Sequence, residues 1–293
     1  MKLLITANPE KPRALAVVRK AVELLADRTE IVVVEETAKK MGLSVPTTPL
    51  EGASADVLIA VGGDGTFLSA LQRSPLPLLA INAGTFGFLA EVDGSQAPEL
   101  QVAVDRLLSG DYFLEERMKL ATQIAGEVLP DATNEVVVHT AQVTKMRHFE
   151  LAVDGTPVGR LRADGVIVAT PTGSTSYALS ALGPIIDPGV EAVVVTALAP
   201  FQATQRAVVI DPLRTVSVRL LPKEKDGIVV VDGQSEVRIP AGTTVVLHRS
   251  PRKAIFVRFA AGFFRRLSGK KILPWSEELA EGSENRADLS PPT

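Results

Sequence analysis

The sequence predicts an α/β N-terminal domain with a largely parallel sheet, followed by a β-rich C-terminal domain and a final helix. Two observations carry this. Over residues 1–112, apolar runs of strand length alternate with segments of helical periodicity, the pattern of a sheet crossed by helices. From Tyr112 to about Phe259 the chain turns to short β-branched runs separated by turns, and helical spacing returns only after residue 260.

The elements follow in order. Residues 2–6 read as a strand, and "NPEKP" as a turn. "RALAVVRKAVELLADR" predicts a helix with Leu15, Val18, Val22 and Leu25 on one face. "EIVVVEE" is a buried-type strand, and "TAKKMG" a short helix closed by Gly42. "ADVLIAVGG" predicts a strand, "TFLSALQR" a helix starting near Thr66, "PLPLLAIN" a strand and "APELQVAVDRLLSG" a helix. In the β-rich half, Asp154-Gly155 reads as a hairpin turn, and one helix is expected after Thr172. "AAGFFRRLSGKKILPW" regains helical spacing, whereas the polar segment 276–293 is expected to be disordered. The expected domains are therefore 1–112 with 260–275, and 113–259.

Composition removes several classes of function. With 46% hydrophobic residues, 293 residues can bury a sizeable core without staples. A net charge of −3 with dispersed basic residues leaves no footprint for nucleic acid. The absence of cysteine excludes disulfides and thiolate metal centres, and is compatible with a cytoplasmic location. His139, His148 and His248 lack metal-ligand spacing, so no metal-binding residues are assigned. The apolar runs are too short to span a membrane, and "MKLLITANPEKPRA" is not a signal peptide.

The stretch "LIAVGGDGTF" (Leu58–Phe67) carries the strongest chemical signal. A buried strand ends at Val61 and a helix follows, so Gly62, Gly63, Gly65 and Thr66 sit where open α/β sheets bind ligands. Glycines let phosphate oxygens approach the main chain, and a helix N-terminus offers free N–H groups and a positive dipole end. Neither GxxxxGK[ST] nor GxGxxG is present. Asp64 is the informative residue. A carboxylate repels phosphates unless it holds a cation or accepts a proton from an attacking hydroxyl. The bland alternative is an Asp-Gly turn with Asp64 capping the helix.

A second stretch, "DGVIVATPTGSTSYALSALGPIIDP" (Asp164–Pro188), brings a β-run to a loop dense in hydroxyls: Thr170, Thr172, Ser174, Thr175 and Ser176. It makes either a polar ligand loop, with Tyr177 stacking on a flat ring, or a helix-capping turn with Tyr177 in the core. "NAGTFGFL" after a strand is a candidate second ligand loop. Asn134-Glu135 at a strand start and Asp232-Gly233-Gln234 between strands read by default as turn chemistry.

In this order and at these separations, "GGDGT", "NAGTFGFL", "TNEVVV" and "DGVIVATPTGSTSYALSALGP" resemble the NAD kinases, ATP- or polyphosphate-dependent and of the bacterial type, over roughly residues 1–275. The resemblance implies a GGDGT domain for the phosphate donor, an NAD-binding β-rich domain, and a final helix returning to the first domain. It implies transfer of a phosphoryl group from ATP to the 2′-hydroxyl of the adenosine ribose of NAD, with Mg²⁺, in a cytoplasmic homodimer or homotetramer. Asp64 would be the catalytic carboxylate, within a cradle of Gly62, Gly63, Gly65 and Thr66. Asp64, Gly65, Phe86, Asn134, Glu135, Asp164, Thr175, Ser176, Tyr177 and Ser180 would line the NAD site.

The chain departs from the family pattern twice. Ala181-Leu182-Gly183-Pro184 replaces Ala-Gly-Gly-Pro, and Leu182 is expected to adopt ordinary helical angles. Asn82-Ala83-Gly84 replaces Asn-Thr-Gly and loses a hydroxyl. Two rival readings remain open: a lipid kinase sharing the glycine loop, which would need an amphipathic membrane element, and a non-catalytic NAD(P) sensor, which would not need Asp64.

Overall fold

The structure, a computed structural model, describes residues 1–84, 87–202, 205–269 and 272. Phe86 and the segment 276–293, both named above, lie outside the described residues.

The first half runs β1 (Lys2–Ala7), α1 (Pro12–Leu25), β2 (Glu30–Val34), α2 (Glu35–Met41), β3 (Thr47–Thr48), β4 (Val57–Gly62), α3 (Asp64–Arg73), β5 (Leu78–Asn82), β6 (Val92–Asp93) and α4 (Ala97–Ser109). β4 and β5 are buried along their whole length, as strands covered on both faces must be. α1 buries Ala14, Val17, Val18, Ala21 and Leu25. Leu15 and Val22 only flank the core. The face is thus rotated from the one the large residues suggest, because the small Ala14 and Ala21 give the closer approach. α2 ends at Gly42, in the left-handed conformation at φ 62.

The second half runs β7 (Phe113–Ile124), β8 (Glu127–Val128), β9 (Glu135–Thr140), β10 (Arg147–Val153), β11 (Thr156–Ala163), β12 (Gly165–Ala169), a 3₁₀ turn (Gly173–Thr175), α5 (Tyr177–Ser180), β13 (Val193–Leu198), β14 (Val208–Ile210), β15 (Val216–Leu220), β16 (Gly227–Val231), β17 (Ser235–Ile239) and β18 (Thr244–Arg258). Asp154 (φ 49) and Gly155 (φ 76) make the tight β10–β11 turn. The final helix, α6 (Phe263–Gly269), forms where its spacing predicts.

Met1–Phe259 is one compact unit, and the chain from Ala260 is a second. Within the first unit, one sheet runs β11-β10-β15-β18-β5-β4-β1-β2-β3, with β6 on β5, and with β7 on β18 and β8. Pairs among β1–β5 are parallel, and those among β7, β10, β11, β15 and β18 are antiparallel. β18 is the junction: it is antiparallel to β7 and β15, and at Phe256 parallel to β5 at Leu78. A six-stranded antiparallel sheet, β14-β13-β12-β9-β16-β17, packs its apolar face on β7, β10, β15 and the start of β18.

One expectation fails. Leu182 has φ 61, not helical angles. The residues after α5 form a Schellman motif: Leu182 N–H donates to Leu179 C=O at 3.0 Å and Gly183 N–H to Ala178 C=O at 2.8 Å. That motif requires a left-handed residue at the Leu182 position, and an exposed leucine (91%) supplies it at a steric cost.

Candidate active site

β4 delivers the chain to Gly63, whose extended backbone starts α3, so the helix begins at Asp64, two residues earlier than its apolar spacing suggests. Asp64 is the first helical residue, after the N-cap Gly63. Its carboxylate accepts N–H bonds from the segment after β5: Phe88 to Oδ2 at 2.9 Å and Leu89 to Oδ1 at 3.3 Å. Gly87 passes directly over it, where a β-carbon would stand 2.6 Å from Oδ2. Leu89 is held in turn, its C=O accepting from Arg258 Nη1 at 2.9 Å. Arg258 is 1% exposed and pairs with Glu91 at 3.0 Å and Glu115 at 2.7 Å. Two carboxylates and a buried guanidinium therefore brace the loop that fixes Asp64.

Beside the start of α3 lies a polar cavity of about 320 Å³. Its lining includes Asn8 and Lys11 after β1, Gly65, Thr66 and Ser69 on α3, and Arg73. It opens at the carboxyl ends of parallel strands and beside a helix N-terminus, where phosphates bind.

A second cluster forms where three strand ends meet. β9 lies between β12 and β16 and runs antiparallel to both, so its first residue stands beside the last residues of its neighbours. Glu135 is opposite Ala169, and Val136 is opposite Val231. The loop after β12 folds back tightly here: Thr170 N–H donates to Asn134 C=O at 2.8 Å, and Thr170 Oγ1 to Thr133 C=O at 2.6 Å. Gly173 lies against Asn134, where a β-carbon would be 2.8 Å from Asn134 Cα. Thr175 is buried, with Oγ1 donating to Thr172 C=O, and Ser176 Oγ donates to Glu135 Oε1 at 3.3 Å. Tyr177 is 41% exposed and Ser180 is exposed, so the core reading of Tyr177 does not hold. The buried Asn134 Oδ1 has no hydrogen-bond partner among the described residues, and it is an acceptor a ligand could use.

Burial, and then the neighbouring Asp232 carboxylate, push the Glu135 carboxyl up to about 8. Burial also raises Asp232, against the pull of three backbone N–H groups. Glu135 thus carries its proton at neutral pH and can donate as well as accept.

Asp164 is not part of this cluster. It precedes β12, its backbone bonded to Thr140 and Leu198, about 20 Å along the strand from Thr170 at the opposite end. The sequence reading took Asp232 only as hairpin chemistry, yet it touches Thr133, Asn134, Glu135 and Gln72. That reading passed over Lys119, whose buried ammonium donates to Leu71 C=O on α3 at 2.8 Å and is shifted down by burial. Among the described residues no group of three or more His, Cys, Asp or Glu could hold a metal ion, and no helix is long and apolar enough to cross a membrane.

Comparison with known proteins accords with this geometry. Residues 3–112 match the ATP-NAD kinase N-terminal domain, and residues 133–259 the ATP-NAD kinase C-terminal domain. The chain is 38% identical over 273 residues to the NAD kinase of Thermoplasma volcanium, covering 93% of this chain and 98% of that protein. An NAD kinase from Archaeoglobus fulgidus, solved in complex with ATP, superposes with a TM-score of 0.73 at 28% identity, over 92% of this chain and 98% of that one. Yeast NADH kinase complexed with NADH shares the fold, with a TM-score of 0.83 at 21% identity over 99% and 90% of the two chains. The two matched domains span most of the chain and contain both clusters, and the protein belongs to the NAD kinase family.

Proposed function

We infer that the protein is an NAD kinase that transfers the γ-phosphoryl group of ATP to the 2′-hydroxyl of the adenosine ribose of NAD, yielding NADP and ADP. The observation that carries the chemistry is the clamped carboxylate of Asp64 at the first position of α3. A residue needed only for the turn has no need of a distant loop; this carboxylate is held by the Phe88 and Leu89 N–H groups. In the reaction the ribose 2′-oxygen bonds to the γ-phosphorus as the bond to the β-γ bridging oxygen breaks. The ribose proton passes to Asp64 late, when the loose transition state has already weakened the O–H bond.

The N–H groups of Gly63–Gly65 and the cavity bearing Lys11 suit the donor's phosphates. Asn134, Glu135, Ser176 and Tyr177 suit the adenosine part of NAD, with the free Asn134 acceptor and the protonated Glu135 facing its hydroxyls. The resemblance implies Mg²⁺, for which Asp64 would be the carboxylate at hand. When bound, it neutralises charge on the phosphate oxygens. The proposal includes a cytoplasmic homodimer or homotetramer, as the resemblance implies.

The test is NADP formation, coupled to an NADP-specific dehydrogenase, in the wild type and in Asp64→Asn, with NAD binding followed by calorimetry. The variant should lose about 10²–10⁴-fold in kcat and keep its NAD affinity. Near-normal turnover in the variant would remove Asp64 from the chemistry.

A further inference from the structure

The turn between β16 and β17 is a tight hairpin, with Asp232 at φ 51, Gly233 at φ 65 and Gln234 N–H bonded to Val231 C=O at 2.9 Å. An aspartate in such a turn ordinarily bonds its own loop or water. Asp232 turns its carboxylate to a distant segment. It is 5% exposed, and its carboxylate accepts three consecutive main-chain N–H groups from a distant part of the chain. Thr133 donates to Oδ2 at 2.8 Å, Asn134 to Oδ1 at 2.8 Å and Glu135 to Oδ1 at 3.1 Å. Asp232 N–H also donates to Glu135 C=O at 3.0 Å. The segment preceding β9 thus has its amides satisfied by one side chain where a strand partner would otherwise serve.

The same carboxylate faces α3. Gln72 Nε2 approaches Oδ2 at 3.4 Å, and the Lys119 ammonium, bonded to Leu71 C=O, is attracted to Asp232. Gln72 lies eight residues beyond Asp64 on this helix, about 12 Å along the axis. One buried charge therefore touches both the Asn134–Glu135 segment and the helix whose first residue is Asp64.

We propose that Asp232 is a positioning residue for NAD: its carboxylate fixes the backbone of Thr133–Glu135, and so the direction in which Asn134 and Glu135 present their side chains to the adenosine ribose. A buried carboxylate is costly, and any residue that tolerates left-handed angles would close the hairpin. Retention of the charge matches the need for an acceptor with two oxygens and several lone pairs, which can take three amides at once. Asparagine offers one oxygen, and its amide would stand against the Thr133 N–H or Gln72. This proposal rests on the assignment of Asn134 and Glu135 to NAD.

The test uses Asp232→Asn and Asp232→Gly, both of which suit the turn, the glycine variant also relieving the positive φ and removing a buried charge. Calorimetry should show NAD binding weakened by about tenfold or more in each, while KM for ATP stays within about twofold. Amide exchange at 133–135 should accelerate in both, with protection of β9 beyond Val136 retained. A folded variant with NAD affinity within about twofold of wild type, or an equal rise in KM for both substrates, overturns the proposal. Failure of the underlying assignment reads differently: Asn134→Ala would then leave NAD affinity unchanged although Asp232→Asn still frees the 133–135 amides. That result would overturn the role toward NAD and leave a structural clasp.

Discussion

Gly87 and Asp64 share a space that only hydrogen can fill: a β-carbon on Gly87 would overlap Oδ1 and stand 2.6 Å from Oδ2. The carboxylate cannot move aside without losing the Phe88 and Leu89 amides that hold it. Gly87→Ala should therefore displace Asp64 by about 1 Å and lower kcat by roughly 10–10²-fold. NAD affinity should be preserved, because the second cluster is untouched. Steady-state rates and calorimetry on the same preparation check this, and an unchanged kcat would mean that the loop yields instead.

Arg258 supports the same loop from behind. Arg258→Met takes the guanidinium from Glu91 and leaves Glu115 to Arg117 at 3.0 Å, and should destabilise the fold by about 3 kcal/mol. Part of the cost lies in the Glu91 carboxylate losing its countercharge in a buried place, so adding Glu91→Gln should recover part of it. Urea unfolding of the single and double variants measures both.

Leu182 offers a gain. Leu182→Gly puts the residue that the Schellman motif prefers at φ 61 and removes an exposed leucine. Stability should rise by about 1 kcal/mol, with kcat unchanged. A fall in the unfolding midpoint would show that the side chain makes a contact worth more than the backbone strain.

The Glu135 carboxyl makes stability depend on pH with a definite sign. Its folded value, about 8, lies above the ordinary 4.5, so the folded protein holds a proton that the unfolded chain releases. The associated stability is complete below 4.5 and is lost as pH rises through about 8. Asp232 is raised as well and contributes in the same direction. Glu135→Gln should flatten the decline, measured by denaturant melts at about pH 5.5 and 7.5, where the slope attributable to this one proton is at most about 1.4 kcal/mol per pH unit. An equal decline in the variant would assign it to other groups.

The alternation of strands and helices was legible because each element in the first half carries its own period. The glycine loop was legible because its residues are contiguous and their chemistry is unusual. Asp232 was not, because Asp-Gly between strands is a hairpin signal and the hairpin is real; nothing local reveals that the carboxylate crosses to residues 133–135. Leu182 misled because leucine rarely takes positive φ, and only the hydrogen bonds after α5 show that the position demands it. Asp164 was grouped with Tyr177 by the family resemblance, and within this chain an extended strand carries the two apart.

The place of β18 has a consequence for how the chain is made. Apart from the short β6, the outer edge of β5 stays open until Phe256 arrives to pair with Leu78. On a ribosome adding about 5–20 residues per second, the parallel half therefore waits roughly ten to thirty seconds with one edge of a strand, apolar but for Asn82, largely open at its rim. Nascent chains halted before β18 should be sticky, and dependent on chaperones, in a way that the finished protein is not.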